Sequence, residues 1–253
     1  MRAIYLDCFA GISGNMLLGA FLQGGVPLEH LAGELKKLAL PEEYHLQAET
    51  VERNGISAVH LEVRLPEQEH AHEHSHEGHH HAHRSWRHIR QLIEDSALSE
   101  QVKQQSLEIF SGLAAAEGKI HGKAPEEVTF HEVGAVDSIV DTVGSAICLE
   151  YLGIQKVMVS RINTGSGFVR CAHGLMPVPA PATAELLKGF PTYHRGEEKE
   201  LTTPTGAAFL KALASYEEHL PPGFLAETIA YGAGTWQLEI PNVLRLYLGS
   251  LEG

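Results

Sequence analysis

"RAIYLDCFAGISGNMLLGAFLQGG", residues 2–25, decides the fold. Its first part, "RAIYLDCF", reads as a short buried strand that delivers Asp7 to its carboxyl end. "SGNMLLGAFLQGG" then reads as a helix with Ser13 as its N-cap and Gly24–Gly25 as its stop. A strand, a tight glycine loop and a helix in immediate succession form the basic unit of an α/β protein. From Cys8 to Leu28 the chain carries no charge, yet five glycines, Ser13, Asn15 and Gln23 lie within that run. A buried loop and helix fit this composition better than a membrane span.

Outward from this unit the alternation continues. "PLEHLAGELKKLAL" places leucines at 28, 31, 35 and 38, one face of a second helix. "YHLQAETVERNGISAVHLEVRL" alternates apolar and polar residues on both sides of Asn54–Gly55, a strong hairpin signal. Ser85 and Ser99 are caps for "WRHIRQLIEDS" and for a helix through about Ala116. "KVMVSRINTG" is a strand, "APATAELLKGF" a helix, and "TPTGAAFLKALASY" a helix begun by Pro204. "AETIAYGAG" and "NVLRLYL" close the chain as strands. The expected class is α/β, a mixed β-sheet flanked by helices, built from residues 1–65 and 85–253 around a disordered His-rich insertion at 66–84.

With 253 residues the chain can bury a substantial core. Its net charge of −13 offers no basic face for nucleic acid or anionic membrane, so neither is expected as a partner. Cys8, Cys148 and Cys171 are far apart and form no CxxC pair, which points to a reducing compartment and to the cytoplasm.

Five stretches carry chemistry. "HAHEHSHEGHHHAHR", residues 70–84, holds His70, His72, His74, His76, His79, His80, His81 and His83. Neutral imidazole suits nickel, zinc and copper, and in an extended chain alternate residues fall on one side. Such a tract gathers metal; it imposes no single geometry, and a solvated linker has the same composition. In "YLDCFAGISGNM", Asp7, Gly11, Ser13, Gly14 and Asn15 surround the start of a helix whose N–H groups can hold an anion. The same residues equally make an ordinary Gly-rich turn.

"FHEVGAVDSIVD" concentrates His131, Glu132, Asp137 and Asp141. On a helix begun near Ala135 the two aspartates stand four apart on one face, where like charges repel unless Mg²⁺, Mn²⁺ or a basic partner lies between them. "TGSGFVRCAHGLMPVPAPAT" offers Cys171 and His173 as a soft-metal pair or a thiol with its base, and "LTTPTGAA" offers Thr202, Thr203 and Thr205 as a phosphate seat or a plain cap.

In this order, "YLDCFAGISGNMLLGA", the histidine insertion, "FHEVGAVDSIVD", "GFVRCAHGLMPVPAPAT", "LTTPTGAA" and "YGAG" closely resemble the nickel insertion proteins of the LarC type. The resemblance implies insertion of Ni²⁺ into pyridinium-3,5-bisthiocarboxylic acid mononucleotide, giving the nickel-pincer cofactor of lactate racemase. It implies CTP as co-substrate, a divalent cation, and a C-terminal part that binds CTP. Lactate racemase apoprotein and a second copy of the chain are further expected partners. On this reading His131 or Glu132 accepts a ring proton, Asp137 and Asp141 hold the hard cation, and the loop from Gly11 to Asn15 seats a phosphate. A nickel storage or delivery module and a metal-dependent hydrolase of a phosphorylated compound are the rival classes.

Overall fold

The computed structural model describes residues 1–66, 84–130 and 134–252. The chain begins β1 (Arg2–Asp7), α1 (Gly14–Gln23), α2 (Leu28–Leu35), β2 (His45–Arg53) and β3 (Ile56–Arg64). It continues β4 (Arg84–Ser85), α3 (Trp86–Asp95), α4 (Glu100–His121), β5 (Thr129–Phe130), α5 (Val136–Tyr151), β6 (Lys156–Val159) and β7 (Ile162–Asn163). There follow β8 (Phe168–Cys171), β9 (Gly174–Pro177), α6 (Pro181–Leu186), β10 (Thr192–Tyr193), α7 (Pro204–Leu213), β11 (Ala214–Tyr216), β12 (Phe224–Ala233) and β13 (Val243–Leu251).

Seven strands form one mixed sheet in the order β11-β6-β1-β13-β12-β3-β2. β1, β6 and β11 are mutually parallel, whereas β13 runs antiparallel to both β1 and β12. The α/β reading therefore holds. Ile4 and Leu6 of β1 point into the main core with residues from α1, α4, α5 and α7, while Ala3 and Tyr5 pack with Met158 on the opposite face. That two-residue alternation puts the helices on the first face. The uncharged α1 is buried because it lies on β3 and β12 with α5 against it.

The hairpin expected at Asn54–Gly55 is β2–β3, and both turn residues have positive φ. Ser85 and Ser99 accept hydrogen bonds from the backbone N–H groups of His88 and Val102 and cap α3 and α4. Two expectations need correction. Ser13 occupies the N-cap position of α1, but its hydroxyl donates to Asn15 Oδ1 at 2.5 Å and caps nothing. The helix expected through Tyr216 stops at Leu213, since Ala214–Tyr216 pair with β6 and the sheet edge outcompetes helix propensity.

One junction positions everything that follows. The Ile12 N–H donates to Leu201 O at 3.0 Å and the Thr203 N–H donates to Ile12 O at 3.0 Å, so the loops preceding α1 and α7 are joined backbone to backbone. Glycine makes the approach possible. A Cβ on Gly11, whose φ is +81°, would lie 2.0 Å from Leu201 O, and one on Gly206 would lie 2.4 Å from Ile12 O. The two helices consequently start side by side.

Two helical glycines should therefore respond oppositely to alanine. Gly206→Ala meets a backbone carbonyl that cannot swing aside, and should cost about 3 kcal/mol or more in chemical denaturation. Gly33→Ala, in α2 with nothing within 4 Å of the added carbon, should gain roughly 0.5–1 kcal/mol from helix propensity. Equal effects at both positions would refute the junction as the constraint.

Candidate functional site

The joined loops bring a third helix into play. Gly14, the first residue of α1, has no side chain because the Asp141 carboxylate of α5 occupies the place: a Cβ there would lie 2.2 Å from Asp141 Oδ2. The starts of α1, α5 and α7 thus surround one cavity of about 460 Å³. Ser13, Gly14 and Asn15 line it from α1, Asp137 and Asp141 from α5, and Thr203 and Thr205 from α7. The first N–H groups of each helix lack partners within the helix, and three dipoles carry their positive ends to the same space. Those dipoles favour an anion, whereas the carboxylates of Glu62, Asp137, Asp141 and Glu200 on the same wall oppose one unless a cation lies between. α1 and α7 carry no acidic residue in the first turn to cancel that field.

Asp141 is the anomaly. Its Oδ1 is sealed from solvent and has no hydrogen-bond partner among the described residues. Burial, with the charge of Asp137 adding to it, holds the Asp141 carboxyl pKa well above the usual carboxylate range. Such a carboxyl keeps a proton or takes a cation. The two aspartates expected on one helix face do line the same cavity.

β3 supplies a histidine that the sequence reading passed over. His60 lines the cavity, and its Nδ1 lies 3.0 Å from Ala233 O. A carbonyl only accepts, so Nδ1 carries the hydrogen and Nε2 is the basic nitrogen of the neutral ring. Within the alternating hairpin His60 was indistinguishable from any polar strand residue. Glu62 on β3 was missed for the same reason, whereas Glu200 and Thr235, also on the cavity wall, lie in the loops before α7 and after β12, where nothing local marks them.

The remaining candidates lie elsewhere. Asp7 pairs with Arg245, its register partner on β13, whose Nε donates to Asp7 Oδ2 at 3.1 Å. Asp7 lines a separate cavity of about 480 Å³ with Arg161, Arg195 and three tyrosines, so it is not brought to Ser13 and Asn15. Gly11 serves the loop junction. Cys171, the last residue of β8, and His173, in the turn of the β8–β9 hairpin, line a third cavity of about 360 Å³. Glu200 and Pro204 belong to both this cavity and the one at the helix starts, which are therefore neighbours. His131 and Glu132 lie outside the described residues, as do His70, His72, His74, His76, His79, His80, His81 and His83. Among the described residues no group of three or more His, Cys, Asp or Glu side chains is arranged to hold a metal ion. No described helix is long and apolar enough to cross a membrane.

The family model described as nickel insertion protein matches residues 4–253. Relatives named pyridinium-3,5-bisthiocarboxylic acid mononucleotide nickel insertion protein occur in Clostridium kluyveri, Clostridium acetobutylicum and Desulfitobacterium hafniense. The chain is 49% identical to the first over 100% of its own length and 63% of the relative's. For the second the values are 47%, 100% and 65%, and for the third 50%, 99% and 59%. The chain thus spans less than two thirds of the length of these relatives. No solved structure matches it.

The state of Asp141 sets a pH dependence. The native chain retains on Asp141 a proton that the unfolded chain releases above about pH 4, so this stabilisation is present in acid and lost as pH rises toward the raised folded value. Without divalent cations, Asp141→Asn should melt higher than the unmutated chain at pH 8, by roughly 2–4 °C per 1 kcal/mol relieved, and no higher at pH 4. Millimolar Mg²⁺ or Mn²⁺ should raise the melting temperature of the unmutated chain and leave that of the variant alone. A variant less stable than its parent at pH 8 would sink this account.

Proposed function

Because the chain belongs to the nickel insertion protein family, we propose that it takes part in inserting nickel into pyridinium-3,5-bisthiocarboxylic acid mononucleotide. The single observation that carries this reading is the convergence of three helix starts on one cavity in a chain of net charge −13. Helix starts that aim N–H dipoles into a cavity also lined by carboxylates suit a phosphorylated small molecule bound together with a divalent cation. The phosphate of the mononucleotide is held by the N–H groups at the start of α1, by the Thr205 N–H and by the hydroxyls of Thr203 and Thr205, while the Gly206 N–H is already taken by Thr203 as the α7 cap. The thiocarboxylate-bearing ring extends toward the wall shared with Cys171 and His173.

The orphaned Oδ1 of Asp141 fits a hard cation, and in this proposal Asp137 and Asp141 hold Mg²⁺ or Mn²⁺. That ion would neutralise charge on a phosphate. Nickel is cargo. Its insertion exchanges nitrogen ligands for two sulfurs and replaces a ring C–H by a carbon–nickel bond, which releases one proton. His60, with Nδ1 fixed by Ala233 and Nε2 basic, is the described residue equipped to accept it. His131 and Glu132 are the other acceptors in this proposal, on sequence grounds alone. The histidine tract at 70–84 gathers nickel for the site. CTP is the co-substrate, bound by the further part that longer relatives possess, and the product serves lactate racemase in the cytoplasm.

The test incubates the chain with precursor, Ni²⁺ and CTP, with and without the additional part of a full-length relative, and follows the nickelated nucleotide by mass. Product should form when both are present, and His60→Gln should lower its rate roughly 10²-fold without altering the fold. No product in either arm would overturn the function. Full activity of His60→Gln would overturn its role alone.

A further inference from the structure

The cavity beside the proposed precursor site contains a pair of imidazoles that the sequence does not place together. His121 is the last residue of α4, whose end is set by Gly122 in the left-handed conformation. His173 sits in the two-residue turn between β8 and β9, followed by Gly174 at φ +98°. Fifty-two positions apart in sequence, their rings meet with centroids 4.8 Å apart and planes tilted by 38°. Glu117, one helical turn before His121, brings Oε2 to 3.3 Å from His121 Nε2. A carboxylate on one ring nitrogen orients a histidine and makes the other nitrogen a better metal donor.

We infer that His121 and His173 form a nickel-holding pair, oriented by Glu117, from which the ion passes to the precursor in the adjoining cavity. This rests on the function proposed above for its metal and its acceptor. Imidazole nitrogen is a good ligand for Ni²⁺, and the shared wall at Glu200 and Pro204 keeps the pair next to the helix starts. Two protein ligands leave the remaining coordination positions to water, which incoming sulfur can displace. A closed set of four protein ligands would hold the ion in place; a pair releases it. Transfer is ligand exchange without redox: Ni²⁺ stays divalent, two nickel–nitrogen bonds break, and nickel–sulfur bonds form.

The experiment must separate this pair from the histidine tract. In a full-length chain with the eight tract histidines between residues 70 and 83 changed to glutamine, equilibrium dialysis with Ni²⁺ alone should find one bound ion per chain. In that background His121→Gln or His173→Gln should each weaken binding at least 10-fold, and Glu117→Gln by a smaller factor. His45→Gln, on the exposed start of β2, should leave it unchanged. A second measurement needs no further substitution: Ni²⁺ should protect His121 and His173 from diethylpyrocarbonate. Absence of nickel in the tract-substituted chain, or binding and protection indifferent to these two histidines, would overturn the pair. The precursor assay is read independently. Nickel held by the pair with no nickelated product refutes the proposed function and leaves the site; product formed at limiting nickel with equal rate in His121→Gln refutes the site and leaves the function.

Discussion

Two backbone hydrogen bonds across the Ile12–Thr202 bridge hold the functional half of the molecule together. They connect a loop that follows the central strand β1 to one almost two hundred residues later, and they do so at a separation only glycine allows on either side. Without that approach α1 and α7 would begin at the ends of different sheet connections, each presenting a modest field to solvent. Side by side, and with α5 drawn in where Gly14 leaves room for Asp141, their fields add over one small volume. The cavity is thus a consequence of main-chain packing, with side chains refining a potential the backbone has already created.

Asp141 runs against that logic if considered as a structural residue. A carboxyl sealed at Oδ1 with no hydrogen bond among the described residues is costly whether charged or neutral, and apolar residues surround its helix on the buried side. The positive ends of three helices offset part of the cost. The remainder is the kind of unrelieved polar group that persists where a ligand completes it. Placing an anion seat and a carboxylate in the same cavity only makes electrostatic sense when a cation can stand between them, since otherwise the carboxylate repels the anion the helices attract.

The sequence made the scaffold legible and the site only half so. The strand, loop and helix of residues 2–25, the Asn54–Gly55 hairpin and the serine caps are local, and local chemistry announced each of them. Ser13, Asn15, Asp137, Asp141, Thr203 and Thr205 were legible as candidates because helix starts and four-residue spacing leave a mark in one dimension. Their convergence was not, for it depends on the bridge between Ile12 and Thr202. His60 and His121 were invisible for the opposite reason: a strand histidine and a helix-end histidine are commonplace until tertiary contact supplies Ala233 to one and His173 to the other. Asp7 shows the converse, a conspicuous residue at a strand end whose partner, Arg245, takes it to a different cavity.

Under the proposed function, the division between neighbouring cavities follows from the chemistry of the ligands. Phosphate is best held by N–H dipoles and hydroxyls and a hard cation by carboxylates, whereas Ni²⁺ is held more firmly by imidazole or sulfur. With the imidazole pair lining one cavity and Asp137 and Asp141 the other, each ion is offered its preferred donors. On that proposal one molecule with a phosphate at one end and sulfur at the other lies across both cavities past the shared Glu200–Pro204 wall, its orientation fixed by which end each cavity accepts. The same wall carries the first residue of α7, so the loop junction that aligns the helix starts also sets the distance between the two ends of the ligand.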